Sequence, residues 1–419
     1  MNSRETVRQA LAHRAGRVPV DFGGTSVTGL HVSVVEALRR HYGLPAGPVR
    51  VFEFFQMLGE ITDDLREAMG VDTVGALPRG TMFGFPAEGP WREWRCPWGQ
   101  VVLVPPGFQT RTEANGDVFI FPAGDRSVPP SGHMPASSFF FDGIIRQDPI
   151  DEDKLDPTDN LEEYGLLTDQ DLAHWRQKAE ILRGSSRAVV ANMGGTGLGD
   201  IARVPGTSLR HPRGIRDVSE WYMSIVARRD YVRAVFDRQY EIALENLARF
   251  HAVMGDVVDV LFICGTDFGT QASQFCSVGT FEDLYLPFYR KLNEWVHHHT
   301  AWKTMKHSCG AIDPLLPSLI RAGFDIINPV QCSAAGMDPE HLKRAHGREL
   351  VFWGGGVDTQ KTLPFGTPAE VRTEVLNRLR IFSRDGGFVF NAIHNIQART
   401  PTANFLAMLD AVKEFNRAG

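Results

Sequence analysis

Short apolar runs alternate with longer stretches of helical periodicity through most of the chain. From about residue 187 onward, six runs rich in β-branched and other apolar residues recur, at residues 187–193, 257–264, 302–308, 324–330, 350–355 and 387–392. The runs are mostly apolar, which is typical of parallel strands that are buried on both faces. Residues 17–23 and 71–76 are two earlier candidates. The pattern therefore predicts eight strands with helices between them.

Eight strands joined by helices predict an α/β fold of the (β/α)8 TIM-barrel type. Such a barrel takes about 250 residues plus insertions, which suits a chain of 419 residues better than an open sheet divided into domains. One helix is predicted to begin with Thr367 as its N-cap and Pro368 at its first position, and another starts in the same way at Thr400 and Pro401. We therefore predict one barrel domain over residues 1–419.

Residues 90–160 have a different pattern, in which polar and apolar residues alternate on both sides of Asn115 and Gly116. The Asn-Gly pair is the strongest short signal for a β-hairpin. The following segment, residues 122–138, is rich in turn-forming residues and predicts a loop. We therefore predict that residues 90–160 are an antiparallel hairpin and loop inserted into the barrel near its N-terminal third.

Composition and charge restrict the classes of partner. The chain has 44 Lys and Arg against 50 Asp and Glu, and this net charge of -6 gives no electrostatic reason to bind nucleic acid or an anionic membrane. The N-terminal segment lacks the apolar core of a signal peptide, and no stretch approaches the roughly 18 apolar residues of a membrane helix. Five scattered cysteines do not form a disulfide framework. We expect a cytoplasmic protein with free thiols that acts on a small molecule.

Polar side chains follow the predicted strands directly, in the positions where barrel enzymes carry their active sites. The set consists of Asp21, Cys264, Asp267, Gln271, His307, Cys309, Asn328, Gln331, Cys332, Asp358, Gln360, Asn391, His394 and Gln397. In a barrel, these side chains all face one mouth, whose size suits a small ligand.

Two residues of this set, His307 and Cys309, offer the ligand types that zinc prefers. Catalytic zinc is usually held by three protein ligands and keeps one position open. His394 and Cys332 each follow a later strand and are alternatives for the third ligand, with Cys264 a weaker choice. The spacing alone also allows a buried thiol and a hydrogen-bonded imidazole without any metal.

Two other short motifs do not predict cofactor sites. The glycine-rich segment 194–200 has Asp200 where a dinucleotide-binding loop needs its last glycine, so it predicts a barrel loop that uses glycine for its backbone freedom. The three consecutive histidines at 297–299 point in different directions around a helix axis and cannot converge on one ion. They predict a solvated turn.

Several segments resemble the uroporphyrinogen decarboxylase superfamily. They are RVPVDF at residues 17–22, HSCG at 307–310, AGFDIINPVQCSAAGMDPEHLK at 322–343, WGGGVDTQ at 353–360 and GGFVFNAIHNIQARTPTANFLAML at 386–409. The resemblance covers most of the chain and is strongest from residue 255 to 415. It implies a (β/α)8 barrel, in agreement with the periodicity.

The loop after the first predicted strand distinguishes this chain from the true decarboxylases of that superfamily. Those enzymes carry an arginine-rich segment there that binds the propionate groups of the substrate, whereas this chain reads DFGGTSVTGLH, without arginine. A substrate with several carboxylates would therefore lack charge compensation. The chain is more similar to the other branch, the zinc-dependent methyltransferases that work with corrinoid proteins, which include methylcobamide:coenzyme M methyltransferases.

The methyltransferase resemblance implies two cofactors, zinc and a corrinoid (cobalamin). His307 and Cys309 match the His-x-Cys zinc motif of that branch residue by residue. Its third ligand is a cysteine after the last strand, where this chain has His394, so Cys332 stays an alternative. We expect a methyltransferase that moves a methyl group between a methoxy compound, a methylamine or a thiol and a corrinoid, which is either free or carried by a partner corrinoid protein.

The remaining polar residues are assigned expected roles by their chemistry. Asp267 would act as a fourth ligand or as a proton carrier in catalysis, together with His307. Side-chain amides would bind a polar substrate through hydrogen bonds, and the candidates are Gln271, Gln331, Gln360, Asn391 and Gln397. Two alternatives remain open, namely a lyase or decarboxylase that acts on a small acid without a corrinoid, and a ligand-binding barrel without catalytic activity.

Overall fold

The computed structural model describes residues 2–418 and has a parallel sheet of seven strands at its centre. The strands are Thr73–Ala76, Ala188–Ala191, Val260–Cys264, Lys303–His307, Ile326–Asn328, Val351–Trp353 and Phe388–Val389. They lie side by side in chain order, each parallel to the next. All seven fall within the segments that the apolar runs predict.

The eighth predicted strand, around Val20, forms backbone hydrogen bonds with both edges of this sheet. Asp21 N donates to Phe390 O at 2.9 Å, and Phe390 N donates to Pro19 O at 2.8 Å. On the other side, Asp72 N donates to Val20 O at 2.8 Å. The Val20 amide donates to the Asp72 carboxylate at 2.9 Å, where a regular strand would donate to a backbone carbonyl of its neighbour. The segment therefore forms a single isolated β-bridge, between Val20 and Phe390, instead of a full strand. The sheet is thus curled, as in a TIM barrel.

Apolar side chains fill the space inside the curled sheet and the space between the sheet and its helices. The inner cluster contains Val190, Phe262, Met305 and Trp353, and the N-terminal helix Ser3–Leu11 closes one end of it with apolar side chains of its own. The larger cluster lies between the strands and the surrounding helices. Because both faces of most strands are buried, most strands are apolar, and the exception is Lys303–His307, which carries the buried side chains of Lys306 and His307.

Helices connect successive strands on the outside of the sheet. The longer ones are Val32–His41, Asp169–Leu182, Val218–Ala227, Arg229–Met254, Leu286–His299, Pro368–Phe382 and Thr402–Ala418. The shorter ones are Asp63–Met69, Val278–Leu284, Leu316–Arg321, Pro339–His346 and Thr362–Phe365. Among residues 2–418, no helix combines the length and the apolar character needed to cross a membrane.

The observed starts of the last two long helices can be compared with the starts predicted from their Thr-Pro pairs. The helix Pro368–Phe382 begins as predicted, with Thr367 as its N-cap. The C-terminal helix begins at Thr402, one residue later than the predicted start. The Thr400 hydroxyl donates to the Gln397 carbonyl at 2.9 Å, so this side chain turns back toward the preceding loop instead of capping the helix.

Two further sheets precede the second strand of the central sheet. One consists of Val49–Glu53, Leu58–Gly59, Arg92–Arg95 and Val101–Val104, and the other of Thr110–Thr112, Val118–Ile120, Gly132–Met134 and Asp142–Gly143. Residues 110–112 and 118–120 pair in antiparallel register on either side of Asn115 and Gly116. The first sheet also includes residues 49–59, which precede the predicted insertion, and these bring Glu53 toward the mouth of the barrel.

Candidate active site

Three metal-ligating side chains converge at the carboxyl end of the strand Lys303–His307. One ring nitrogen each of His307 and His394 and the sulfur of Cys309 all lie within 4.8 Å of one another. The distance from Cys309 Sγ to His307 Nε2 is 3.5 Å. Two ligands bonded to one tetrahedral zinc at about 2.3 and 2.0 Å would be separated by roughly this distance. The donor types and their spacing therefore fit a zinc ion.

A chain of hydrogen bonds fixes the ring of His307. Its Nδ1 lies 2.6 Å from Asn328 Oδ1, and Asn328 Nδ2 donates to the Trp353 carbonyl at 2.9 Å. Because the amide group of Asn328 is engaged with that carbonyl, its oxygen faces the imidazole, and the hydrogen-bond network assigns the ring proton to Nδ1. Nε2 of His307 then keeps its lone pair and faces Cys309. This is the orientation that a metal-binding histidine needs.

The backbone after the strand turns sharply at Gly310 and so places Cys309 beside the histidines. Gly310 has a φ of 88°, and a Cβ at this position would lie 2.3 Å from the backbone carbon of Gly269. Only glycine permits this close approach of the two loops. The amide of Cys309 donates to Asp267 Oδ1 at 2.7 Å, and the amide of Gly310 donates to Gln331 Oε1 at 2.8 Å. Two side chains thus fix this loop at the backbone.

Burial determines the charge of the three candidate ligands. It lowers the pKa of His307 to about 4, and the nearby Lys306 ammonium acts in the same direction. It also lowers the pKa of His394 to about 4, with a smaller contribution from His307. Burial, and after it the Asp267 carboxylate, raises the pKa of the Cys309 thiol well above its ordinary value. At neutral pH the imidazoles therefore have free lone pairs, and a bound dication would displace the thiol proton.

Two charged side chains lie close to this cluster. Asp267 Oδ1 is 3.9 Å from His307 Nε2. Lys306 is fully buried, and its ammonium donates to the carbonyl oxygens of Thr266 and His307. It also lies 5.0 Å from the centre of the Phe268 ring. A fixed positive charge therefore lies beneath the cluster, and a carboxylate lies at its edge.

A cavity of about 210 Å³ opens beside the cluster. Its polar and charged lining side chains are Ser26, Glu53, Gln56, Asn192, Thr196, Asp200, Arg203, Asp267, His307 and His394, and its apolar ones include Val27, Phe55, Met82 and Phe262. One wall is the glycine-rich loop 194–197, in which a Cβ at Gly194 or Gly195 would meet no other atom. The Gln239 amide holds this loop by donating to the carbonyls of Gly195 and Gly197, both at 3.1 Å.

Two carboxyl groups of the cavity hold their protons more tightly than an exposed carboxyl does. Burial raises the pKa of Glu53 to about 7, although the amides of Gln56 and Phe55 donate to it at 2.7 Å and oppose the shift. Burial also raises the pKa of Asp200, and the Asp267 carboxylate contributes in the same direction. Glu53 can therefore donate a hydrogen bond near neutral pH.

Sequence reasoning did not identify Glu53, Asp200 and Arg203 as residues of the cavity. Asp200 ends the glycine-rich loop that follows a predicted strand. Because active-site residues of barrels lie in the loops after the strands, its position in the sequence could have indicated a place in the cavity. Arg203 follows in the same loop. Glu53 belongs to a strand outside the central sheet, and no local signal connects it with the mouth of the barrel.

The two cysteines that remained as alternative ligands lie apart from the cluster. The Cys332 thiol donates to the Val330 carbonyl at 3.5 Å and borders a different surface cavity, together with Met337. Cys264 borders the active-site cavity, but its thiol donates to the hydroxyl of the buried Tyr289 at 3.3 Å and does not belong to the ligand cluster. Of the predicted third ligands, the structure brings His394 to His307 and Cys309.

The predicted substrate-binding amides lie outside the lining of the cavity. None of these five side chains, all of which belong to the described residues, lines the cavity. Gln331 is occupied by the amide of Gly310, and Gln271 and Gln360 are exposed. Asn391 is buried and donates to the Asp21 carbonyl at 2.5 Å.

Gln397 is the predicted amide with an indirect link to the cavity. Its Nε2 donates at 2.9 Å to Oε1 of Gln56, which lines the cavity. The Asn395 amide donates to the same oxygen at 3.1 Å. Gln56 is therefore held by the loop after the last strand.

Comparison with known proteins places the fold in a known family. Residues 207–415 match the family described as uroporphyrinogen decarboxylase. No curated protein is similar enough to count as a match. Among solved structures, the chain is similar to a methyltransferase from Methanosarcina mazei, with 16% sequence identity, coverage of 99% of each chain and a TM-score of 0.56. At this identity the likeness shows a common fold, and that fold extends over the whole chain.

Proposed function

We propose that this chain, which belongs to the uroporphyrinogen decarboxylase superfamily, is a zinc-dependent methyltransferase. In this proposal it moves a methyl group between a small substrate and a corrinoid. The observation that carries the proposal is the convergence of His307, Cys309 and His394 beside the cavity at the strand ends. In barrel enzymes the chemistry takes place at this end of the strands. The similarity to a solved methyltransferase supports the same branch of the superfamily.

The three ligands would hold zinc and leave one position for the substrate. When bound, zinc acts as a Lewis acid that lowers the pKa of a substrate thiol or polarises a substrate oxygen or nitrogen. Asn328 keeps Nε2 of His307 directed at the site, and Asp267 fixes the backbone of Cys309. The ligand set is thus preorganised by side chains that hold it from behind.

Asp267 is placed to accept or supply a proton during methyl transfer. Its carboxylate lines the cavity and lies 3.9 Å from His307 Nε2. A thiol substrate must lose its proton before its sulfur takes the methyl group, whereas the oxygen or nitrogen of a methoxy or methylamine donor keeps the electron pair of the broken bond and takes up a proton. A carboxyl group at this position can accept the first proton or supply the second.

The size of the cavity determines where the corrinoid would react. A volume of about 210 Å³ lies below the roughly 300–1,000 Å³ of ordinary small-molecule sites and is far too small for a corrinoid ring. The corrinoid would therefore meet the substrate at the mouth of the cavity. This supports a corrinoid carried by a partner protein, or one that docks from solution, over one enclosed within the barrel.

The cavity lining offers little charge compensation for an anionic substrate, whereas the protonated carboxyl group of Glu53 can donate a hydrogen bond to a neutral one. Among the described lining residues, Glu53, Asp200 and Asp267 carry carboxyl groups, and Arg203 is the one permanently cationic side chain. Methoxy compounds, methylamines and thiols suit this lining better than a small acid does. The lyase or decarboxylase alternative is therefore less well supported.

The decisive experiment follows the cobalt spectrum during turnover. Zinc-loaded enzyme is mixed with reduced or methylated cobalamin and with a panel of methoxy compounds, methylamines and thiols. We expect an enzyme-dependent change with one substrate class and its loss in His307→Ala, because that variant lacks a metal ligand. The control is His298→Ala, since His298 is exposed and bonds to a carbonyl of its own helix. Absence of any change, with free cobalamin and with a corrinoid protein as carrier, would contradict methyl transfer.

A further inference from the structure

A second group of metal-ligating side chains lies outside the cavity, between a loop and a neighbouring helix. Asp313 begins the short 3-10 helix Asp313–Leu315, and His341 and His346 belong to the helix Pro339–His346. One ligand atom from each of these three residues lies within 4.8 Å of the others. None of the three lines the active-site cavity.

We propose that Asp313, His341 and His346 form a second metal site, which takes a divalent ion of the zinc type. Nε2 of His341 lies 3.1 Å from both oxygens of Asp313, and Nε2 of His346 lies 3.2 Å from one of them. Two ligands of a tetrahedral ion, each bonded at about 2.0 Å, are separated by roughly 3.3 Å. The nitrogen–oxygen distances therefore match the spacing of ligands around such an ion.

The position of His341 fits a shared cation as well as a hydrogen bond. An N–H group that points between two oxygens makes two bent hydrogen bonds, and hydrogen bonds weaken as they depart from linearity. An imidazole nitrogen equidistant from both carboxylate oxygens is also well placed to share a cation with them. Two histidines that both direct Nε2 at one carboxylate strengthen the case, because each then has its lone pair available when the proton is on Nδ1.

The donor set determines which ion the site would prefer. Two imidazoles and one carboxylate suit zinc and similar divalent transition ions, whereas magnesium and calcium prefer oxygen ligands. The side chains of His341, Asp313 and His346 are 40%, 23% and 12% exposed, so water can reach the site and complete the coordination. The ion can therefore enter and leave without unfolding of the barrel.

The site would link the loop that carries Cys309 to the outer layer of helices. Asp313 follows Cys309 by four residues, and the intervening Ala311 is held by a backbone hydrogen bond to the Thr270 carbonyl at 2.8 Å. An ion bound to Asp313 and to the helix Pro339–His346 would fix the far end of this loop. The inferred role is structural, and it does not depend on the proposed methyl transfer.

The test counts the zinc bound per chain after chelation and reloading with zinc alone. We expect the wild type to bind one more zinc than either His346→Gln or Asp313→Asn. Both substitutions retain a polar side chain of similar size, and both remove a good metal ligand. His298→Gln is the matched control, because it replaces an exposed histidine that belongs to neither cluster. An equal zinc count in the wild type, His346→Gln and Asp313→Asn would overturn the proposal, and so would an equal loss in His298→Gln.

Cobalt substitution keeps this test separate from the active-site cluster. Co2+ bound through Cys309 gives a sulfur-to-metal charge-transfer band, whereas Co2+ bound by Asp313, His341 and His346 gives only weak d–d absorption. In Cys309→Ser protein, we expect the d–d absorption of the second site to persist and to disappear when His346→Gln is added. Far-UV circular dichroism of each variant checks the fold. Loss of all cobalt binding in Cys309→Ser alone would overturn the second site and leave the first intact.

Discussion

Asn328 determines which nitrogen of His307 is available to a metal. Its side-chain oxygen accepts from Nδ1, and its amide group is held by the Trp353 carbonyl. The imidazole is buried, so that no water competes for the same nitrogen. A metal-binding histidine whose other nitrogen is held in this way generally depends on that partner for its affinity. The amide of Asn328 is therefore expected to contribute to the metal affinity of the proposed site.

We predict that Asn328→Ala weakens zinc binding about 10- to 100-fold without abolishing it, because the ring of His307 loses its fixed orientation. The measurement is a competition titration of zinc against a chelator of known affinity. Asn160→Ala is the matched control, because Asn160 is also buried and forms hydrogen bonds of similar length with the backbone of Ile215. Unchanged affinity in Asn328→Ala would mean that His307 does not bind the metal through Nε2.

At the scale of single residues, chemistry and chain position predict part of the site. His307, Cys309 and His394 stand directly after apolar runs, and the structure brings them together. The choice between His394 and Cys332 depends on where each loop turns, and no local pattern encodes this. Glu53 could not be predicted, because its place in the cavity results from the packing of a separate sheet on the barrel.

At the scale of elements, most strands of the central sheet are predictable because burial on both faces leaves apolar runs, although Lys303–His307 has only one apolar residue. The segment around Val20 is less regular, since the side chain of Asp72 replaces a backbone partner. The start of the C-terminal helix is shifted because Thr400 bonds to the Gln397 carbonyl. The strand Val49–Glu53 is short, and only Val49 and Val51 are fully buried in it. Its alternation of buried and exposed residues is therefore too brief to give a clear signal in the sequence. Local competition between hydrogen-bond partners thus limits prediction at element boundaries.

The strand Val49–Glu53 leads to a prediction about pH, because it carries Glu53 into a site that favours the protonated carboxyl. The folded-state pKa is about 7 and exceeds the ordinary value of 4.5. The stabilisation from this proton is fully present below about pH 4.5 and is lost as the pH rises through about 7. We therefore expect Glu53→Gln to gain stability relative to the wild type between these pH values, by on the order of 1–3 kcal/mol, and to change no further above them.

Denaturant unfolding at a series of pH values measures this difference. The control is Glu93→Gln, which changes an exposed glutamate on another strand of the same sheet. The difference between Glu53→Gln and the wild type need not be zero at low pH, because the substitution also removes one acceptor for the amides of Phe55 and Gln56, but it must grow between about pH 4.5 and 7. A difference of the same size at every pH would contradict the prediction.

At the scale of the whole molecule, the fold and the function follow from different features. The curled parallel sheet is common to the superfamily and says little about the substrate, since one barrel fold supports many reactions. The substrate is selected by the loops and by the sheet that borders the mouth. In this chain they supply Glu53, Asp200 and Asp267 around a cavity of about 210 Å³, with Arg203 as the permanent cation among the described lining residues.

This lining predicts that the protein does not decarboxylate uroporphyrinogen. A tetrapyrrole with several carboxylates needs cationic side chains around it, and desolvated carboxylates without partners cost several kcal/mol each. It also exceeds the volume of the cavity, and the loop after Val20 has no arginine to bind it. We expect no release of carbon dioxide above the level of an enzyme-free control, measured by trapping the gas under anaerobic conditions. Asp267→Asn serves as the comparison, because release that depends on the enzyme and disappears in this variant would show that the cavity accepts the decarboxylase substrate after all.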